Sequence, residues 1–129
     1  MNLPPQVIQK AHCSQNGELS WQKQDIVEAL HAIAKANFAI LGGEVWLILK
    51  DGGIYGLLPL KNGTPGFYGW DIARLTNEAW ASYVSRSESE SVAFVTGYPN
   101  VEEVEMPSGS EIYYNVVWCE ENEFERIRG

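Results

Sequence analysis

Two apolar runs, Val45 to Leu49 and Ile54 to Leu60, flank the tetrapeptide Lys50-Asp51-Gly52-Gly53, and this arrangement limits what the rest of the chain can do. Each run has strand length rather than helix length. Asp-Gly and Gly-Gly supply the positive φ angles of tight hairpin turns, because glycine has no Cβ and aspartate tolerates the left-handed region. The stretch therefore reads as a β-hairpin. Just before it, Gly42-Gly43 separates Ala39-Ile40-Leu41 from Glu44 and predicts a bulge, a bend or a close backbone approach. Eight glycines lie between residues 42 and 69, which favours twisted, bulged strands over a flat sheet.

The other elements can be placed around this hairpin. Pro4-Pro5 opens a short helical segment over Gln6 to His12. Ser20 reads as the N-cap of a helix running to about Ala36, with Asp25 near its positive end and Lys35 near its negative end. Ile26, Leu30, Ile33 and Asn37, flanked by Ala29 and Ala34, make its apolar face. Phe67 to Arg74 reads as a third strand. A second helix is expected from Thr76 or Asn77, with Glu78 in its first turn. Trp80, Tyr83, Val84, Ser87, Ser91, Phe94 and Val95 share one face of it, and the two serines imply a tight approach to a neighbouring element. Arg86 and Glu90 stand four apart as an ion pair, and Gly97 followed by Pro99 ends the helix. Glu111 to Cys119 alternates as a half-buried strand, with Val101 to Glu105 as a hairpin partner. Glu120 to Gly129 reads as a polar tail anchored by Phe124 and Ile127. The expected architecture is α+β: a twisted antiparallel sheet of about four to six strands, with two main helices on one face, in a single domain spanning residues 1–129.

Charge narrows the function. The net charge is −8, and all of it lies in the second half: residues 1–64 hold five lysines against five acids, residues 65–129 four arginines against twelve acids. Eight glutamates fall between Glu102 and Glu125 in a stretch with no lysine or arginine. Phosphate binding requires the opposite sign, so nucleic acid is not the expected partner. No run approaches the roughly 18 apolar residues of a membrane span, and Met1 to Pro5 lacks the basic, then apolar, character of a signal peptide. The chain reads as cytoplasmic, with Cys13 and Cys119 as free thiols.

The sequence offers little chemistry. It has no G-x-S-x-G, no phosphate-binding glycine loop, no spacing suited to a zinc site and no calcium-loop pattern. His31 reads as a surface residue. His12 beside Cys13 does not make a site, because adjacent residues seldom aim at one target. We expect no enzyme activity, no cofactor and no metal.

Three pieces in order, Ile40-Leu41-Gly42-Gly43-Glu44-Val45, Tyr68-Gly69-Trp70 and Asn77-Glu78-Ala79-Trp80-Ala81-Ser82-Tyr83-Val84-Ser85-Arg86-Ser87, resemble a family of small bacterial immunity proteins encoded beside polymorphic toxins. The resemblance covers roughly residues 24 to 96. It implies a protein that binds and blocks a cognate toxin, and it assigns no contact residue. Charge suggests where contact would fall. An acidic inhibitor suits a basic, nuclease-like toxin, which places Glu102, Glu103, Glu105, Glu120, Glu121 and Glu123 on the expected partner-binding surface. The alternative is a module that binds a small ligand or another protein without inhibiting it, using a pocket under the hairpin near Trp46, Tyr55 and Trp70.

Overall fold

The computed structural model describes residues 3–128. In chain order the elements are α1 (Pro5–Gln9), β1 (His12–Cys13), β2 (Leu19–Gln22), α2 (Lys23–Lys35), β3 (Ala39–Ile48), β4 (Ile54–Tyr55), β5 (Leu58–Pro59), β6 (Pro65–Gly66), β7 (Gly69–Asp71), α3 (Trp80–Gly97), a 3-10 turn (Val101–Glu103), β8 (Glu111–Cys119) and α4 (Glu121–Arg128). The class is α+β, as expected. The main sheet runs β1-β2-β8-β3-β4, all antiparallel, with β7 beside β4 on the outer edge of β3. β5 and β6 form a separate small ribbon.

β3 and β8 are the axis of the fold. They pair from Ala39–Cys119 to Ile48–Glu111, and the register shifts between Ile40 and Gly42. That shift is the expected bulge. A bulge strands backbone groups, and neighbours take them up here: Ser87 Oγ accepts from the Ile40 N–H at 2.9 Å, and the Ile72 N–H donates to Leu41 O at 2.9 Å. The strand continues through both glycines rather than breaking at them.

One face of the axis carries Ile40, Val45, Leu47, Tyr114 and Val116, which pack with Trp21, Ile26, Ala29, Leu30 and Ile33 of β2 and α2 and with Val95 of α3. The serine reading of α3 has a specific cause. Gly43 leaves room for the Trp70 ring, which stacks on Phe94 at 4.7 Å and donates through Nε1 to Ser91 Oγ at 2.9 Å. A second cluster, Ala39, Ile72, Trp80, Tyr83, Val84, Cys119 and Phe124, joins the start of α3 to α4.

Several expectations need correction. Ser20 does not cap α2. It lies fully buried in β2 opposite Asn115, and Gln22 occupies the cap position of α2. The hairpin's second arm pairs only at Ile54 and Tyr55, and the third strand is only Gly69–Asp71. Val101 to Glu105 does not pair with β8. It forms the 3-10 turn, capped by Asn100, and then a single bridge from Val104 to Leu60, while β2 and β3 flank β8. The C-terminal segment is a helix in which Phe124 is buried and Ile127 is 72% exposed, so only the first of the two anchors.

α3 also starts later than expected. Asn77 adopts φ 63°, which keeps the chain turning, and the helix begins at Trp80. Glu78 therefore sits before the helix, where it accepts from the Leu75 N–H at 2.9 Å and takes two hydrogen bonds of 2.8 Å from Arg86. Arg86 also reaches Ala73 O and, as expected, Glu90. The Arg86 guanidinium, with help from the Leu75 N–H, holds the Glu78 carboxyl at about 2 against an ordinary 4.5. A carboxyl depressed in the folded state stabilises the fold fully above its unfolded value and loses that contribution as pH falls toward its folded value. Urea midpoints should therefore decline between pH 4.5 and about 2, and Glu78→Gln should be less stable at neutral pH with a shallower decline over that window. Parallel curves for the two proteins would refute this role.

Candidate functional site

The six glutamates expected at a partner surface divide into two groups. Glu102 and Glu103 lie in the 3-10 turn just past the end of α3, and the Glu105 N–H donates to Pro59 O at 2.7 Å. Glu120 follows β8, while Glu121 and Glu123 open α4, which packs on the first turn of α3 through Phe124. The 18 residues of α3 separate the two groups by about 27 Å at 1.5 Å per residue. Glu121 is half committed, since it lies 3.8 Å from Arg74, which also holds Glu125 at 3.1 Å and stacks over Trp80 and Phe124. Glu102, Glu103, Glu105, Glu120 and Glu123 have no cationic partner among the described residues. Burial, with Glu123 and Glu120 close by, pushes the Cys119 thiol up to about 11, so it stays protonated at neutral pH. Both cysteines are free, Cys13 exposed and Cys119 buried.

Sequence reasoning missed the outer face of the sheet, opposite α2 and α3. Strand register places Glu44, Trp46, Ile48, Glu111, Tyr113, Asn115 and Val117 there, because each alternates with a residue of the helix-side core. A polar row crosses four strands on this face: His12 pairs with Ser20, Ser20 with Asn115, and Asn115 with Glu44. Ser20 Oγ and His12 Nδ1 are buried with no hydrogen-bond partner among the described residues, and Asn115 Nδ2 donates to Leu19 O at 3.1 Å.

Two concavities open on this face. One, of about 540 Å³, lies between the β1–β2 turn and the hairpin and is lined by His12, Asn16, Glu18, Trp46 and Ile54 among others. The second, of about 360 Å³, lies beside the double glycine and is lined by Glu44, Phe67, Trp70, Asp71, Asn115 and Val117 among others. Trp46 and Trp70 thus line different hollows, and Tyr55 is an exposed ring on β4, so the three do not frame one pocket under the hairpin. Trp46 is 8% exposed and Trp70 packs against the core, so both rings are largely structural. His31 lies on the surface as expected, against Glu88 of α3. No group of three or more His, Cys, Asp or Glu among the described residues could hold a metal ion.

The signal that decides the family spans nearly the whole fold, from β1 through β8. The family model described as Immunity protein 40 matches residues 12–118. The chain belongs to the Immunity protein 40 family. The match extends beyond residues 24 to 96, where the resemblance was read, and takes in both concavities and the first acidic group. It stops short of α4, so the second acidic group lies outside it. No curated protein and no solved structure matches this immunity protein. No helix among the described residues is long and apolar enough to cross a membrane.

Proposed function

We propose that this immunity protein binds a cognate bacterial toxin in the cytoplasm of the producing cell and neutralises it by covering its working surface, without catalysis. The observation that carries this reading is the group of carboxylates at the two ends of α3, which apart from Glu121 have no cationic partner among the described residues. An inhibitor with uncompensated negative charge draws in a basic, nuclease-like partner over a distance and keeps nucleic acid away from its own surface. Glu102, Glu103 and Glu105 form one proposed contact group, and Glu120, Glu121 and Glu123 the other.

The test uses the toxin encoded beside this chain's gene. Glu102, Glu103 and Glu105 are changed together to lysine in one variant, and Glu120, Glu121 and Glu123 in a second, with circular dichroism to verify folding. Each variant should associate at least about tenfold more slowly in dilute buffer, with a weaker response to added salt. Wild-type rates and salt dependence in both variants would remove these residues from the interface.

A further inference from the structure

We propose that the cleft beside the double glycine on the outer sheet face receives an arginine side chain of the partner protein; this rests on the toxin-binding reading above. The cleft is built by the fold rather than by loose surface groups. Its floor is the backbone of Gly42 and Gly43 in β3, together with Asn115 of β8, which is only 3% exposed. At Gly42 a Cβ would meet Trp70 O at 2.1 Å, so the floor there stays bare backbone. The Phe67 ring lies across Gly69, with Cζ 2.7 Å from where a Cβ would stand, and forms one wall. Val117 forms part of the lining from β8. Both apolar groups face solvent, Phe67 at 60% and Val117 at 47% exposure.

Charge selects the occupant. Glu44 pairs with Gly69, and Asp71 lies two residues further along β7, so the two carboxylates are diagonal neighbours on one face, about 7–8 Å apart at the backbone. Neither has a cationic partner among the described residues, and no lysine or arginine lines the cleft. Glu44 accepts from Trp46 Nε1 at 3.2 Å, which steadies one carboxylate oxygen and leaves the other available. A planar guanidinium can donate to two carboxylates from opposite edges while stacking on an aromatic ring. An ammonium satisfies the charge but not the plane. The volume of about 360 Å³ admits one long side chain, not a folded segment.

The test titrates N-acetyl-arginine methylamide, with N-acetyl-lysine methylamide as comparison, into isotopically labelled full-length protein, following the side-chain amide of Asn115 and the indole N–H of Trp46 and Trp70 by NMR. Arginine should shift these signals in a saturable way and bind at least about fivefold more tightly than lysine. Glu44→Gln with Asp71→Asn should abolish saturation, while the Asn115 signal and the thermal midpoint stay close to wild type. Val117→Arg, which supplies a guanidinium from within, should block uptake independently. The same double variant should weaken binding of the adjacent-gene toxin by at least about tenfold. Equal shifts with arginine, lysine and magnesium ion would overturn the proposal, as would saturation that survives in the double variant or toxin binding that ignores it. If wild-type protein binds no such toxin, the toxin reading fails, and the arginine titration still decides the cleft.

Discussion

Gly43→Ala is expected to unfold the protein or leave it barely folded. Its Cβ would stand 2.0 Å from Asn115 O and 2.6 Å from Trp70 Cη2, so the new methyl is trapped between the backbone of β8 and a ring wedged against α3. A flexible side chain could swing aside, but the β8 carbonyl cannot move without breaking the β3–β8 ladder. Overpacking of a tight interior typically destabilises by about 1–3 kcal/mol, and a clash with backbone belongs at the top of that range or above. Urea denaturation followed by circular dichroism should show a midpoint far below wild type, or no cooperative transition. Gly53→Ala is a useful comparison, because its nearest neighbours there stand at 3.2 Å or more and belong to side chains, so it should be mild. A Gly43→Ala protein as stable as wild type would mean that the double glycine is not held between β7 and β8.

Trp21→Ala should have an effect of comparable size. Trp21 is completely buried between α2 and the sheet, tilts against Trp118 at 6.2 Å and donates from Nε1 to Val7 O at 2.9 Å. Truncating such a ring typically removes about 3–5 kcal/mol, from lost burial and the cavity left behind. The Val7 carbonyl also loses its donor, so α1 should detach locally. Hydrogen exchange would register this as faster exchange over residues 5–9 even where the rest of the chain stays protected. Trp21→Phe should restore most of the packing without the hydrogen bond, and so separate the two contributions. If Trp21→Ala left exchange in α1 unchanged, the Val7 contact would not be what fastens that helix.

The parts legible in the sequence were those with enough residues to establish a period. α2, α3 and β8 each present several turns or alternations, and their core faces lie where the spacing puts them. The hairpin turn and the bulge were legible because glycine pairs have few other uses in a strand. Short elements were not. β2 has only four residues, too few to display alternation, and Ser20 resembles a helix cap because a small hydroxyl suits both roles. Val101 to Glu105 alternates in name, yet Asn100 accepts from the Glu102 N–H at 3.2 Å and folds it into a turn. Asn77 and Thr76 resemble caps, but Glu78 is drawn off to Arg86. At the candidate site, the acid excess could be counted from the sequence but not located, since the contact of α4 with α3 depends on long-range packing. The cleft left still less trace. Its floor is backbone, and its walls come from β3, β7 and β8, which are distant in the chain.

The β3–β8 ladder has a consequence for how the molecule is made. β3 ends at residue 48 and β8 begins at residue 111, so the centre of the sheet forms only when two distant segments meet. α2, α3 and the hairpin can form locally and early, whereas this meeting carries the loop-closure entropy of the whole intervening chain. Folding should therefore run on the slower scale of mixed folds, with one late step that docks β8 between β2 and β3. Until that step both strands present unpaired hydrogen-bonding edges, the form in which chains most readily join one another. A polypeptide interrupted before Glu111 would carry its hydrophobic strands without the one segment that keeps them apart from its neighbours.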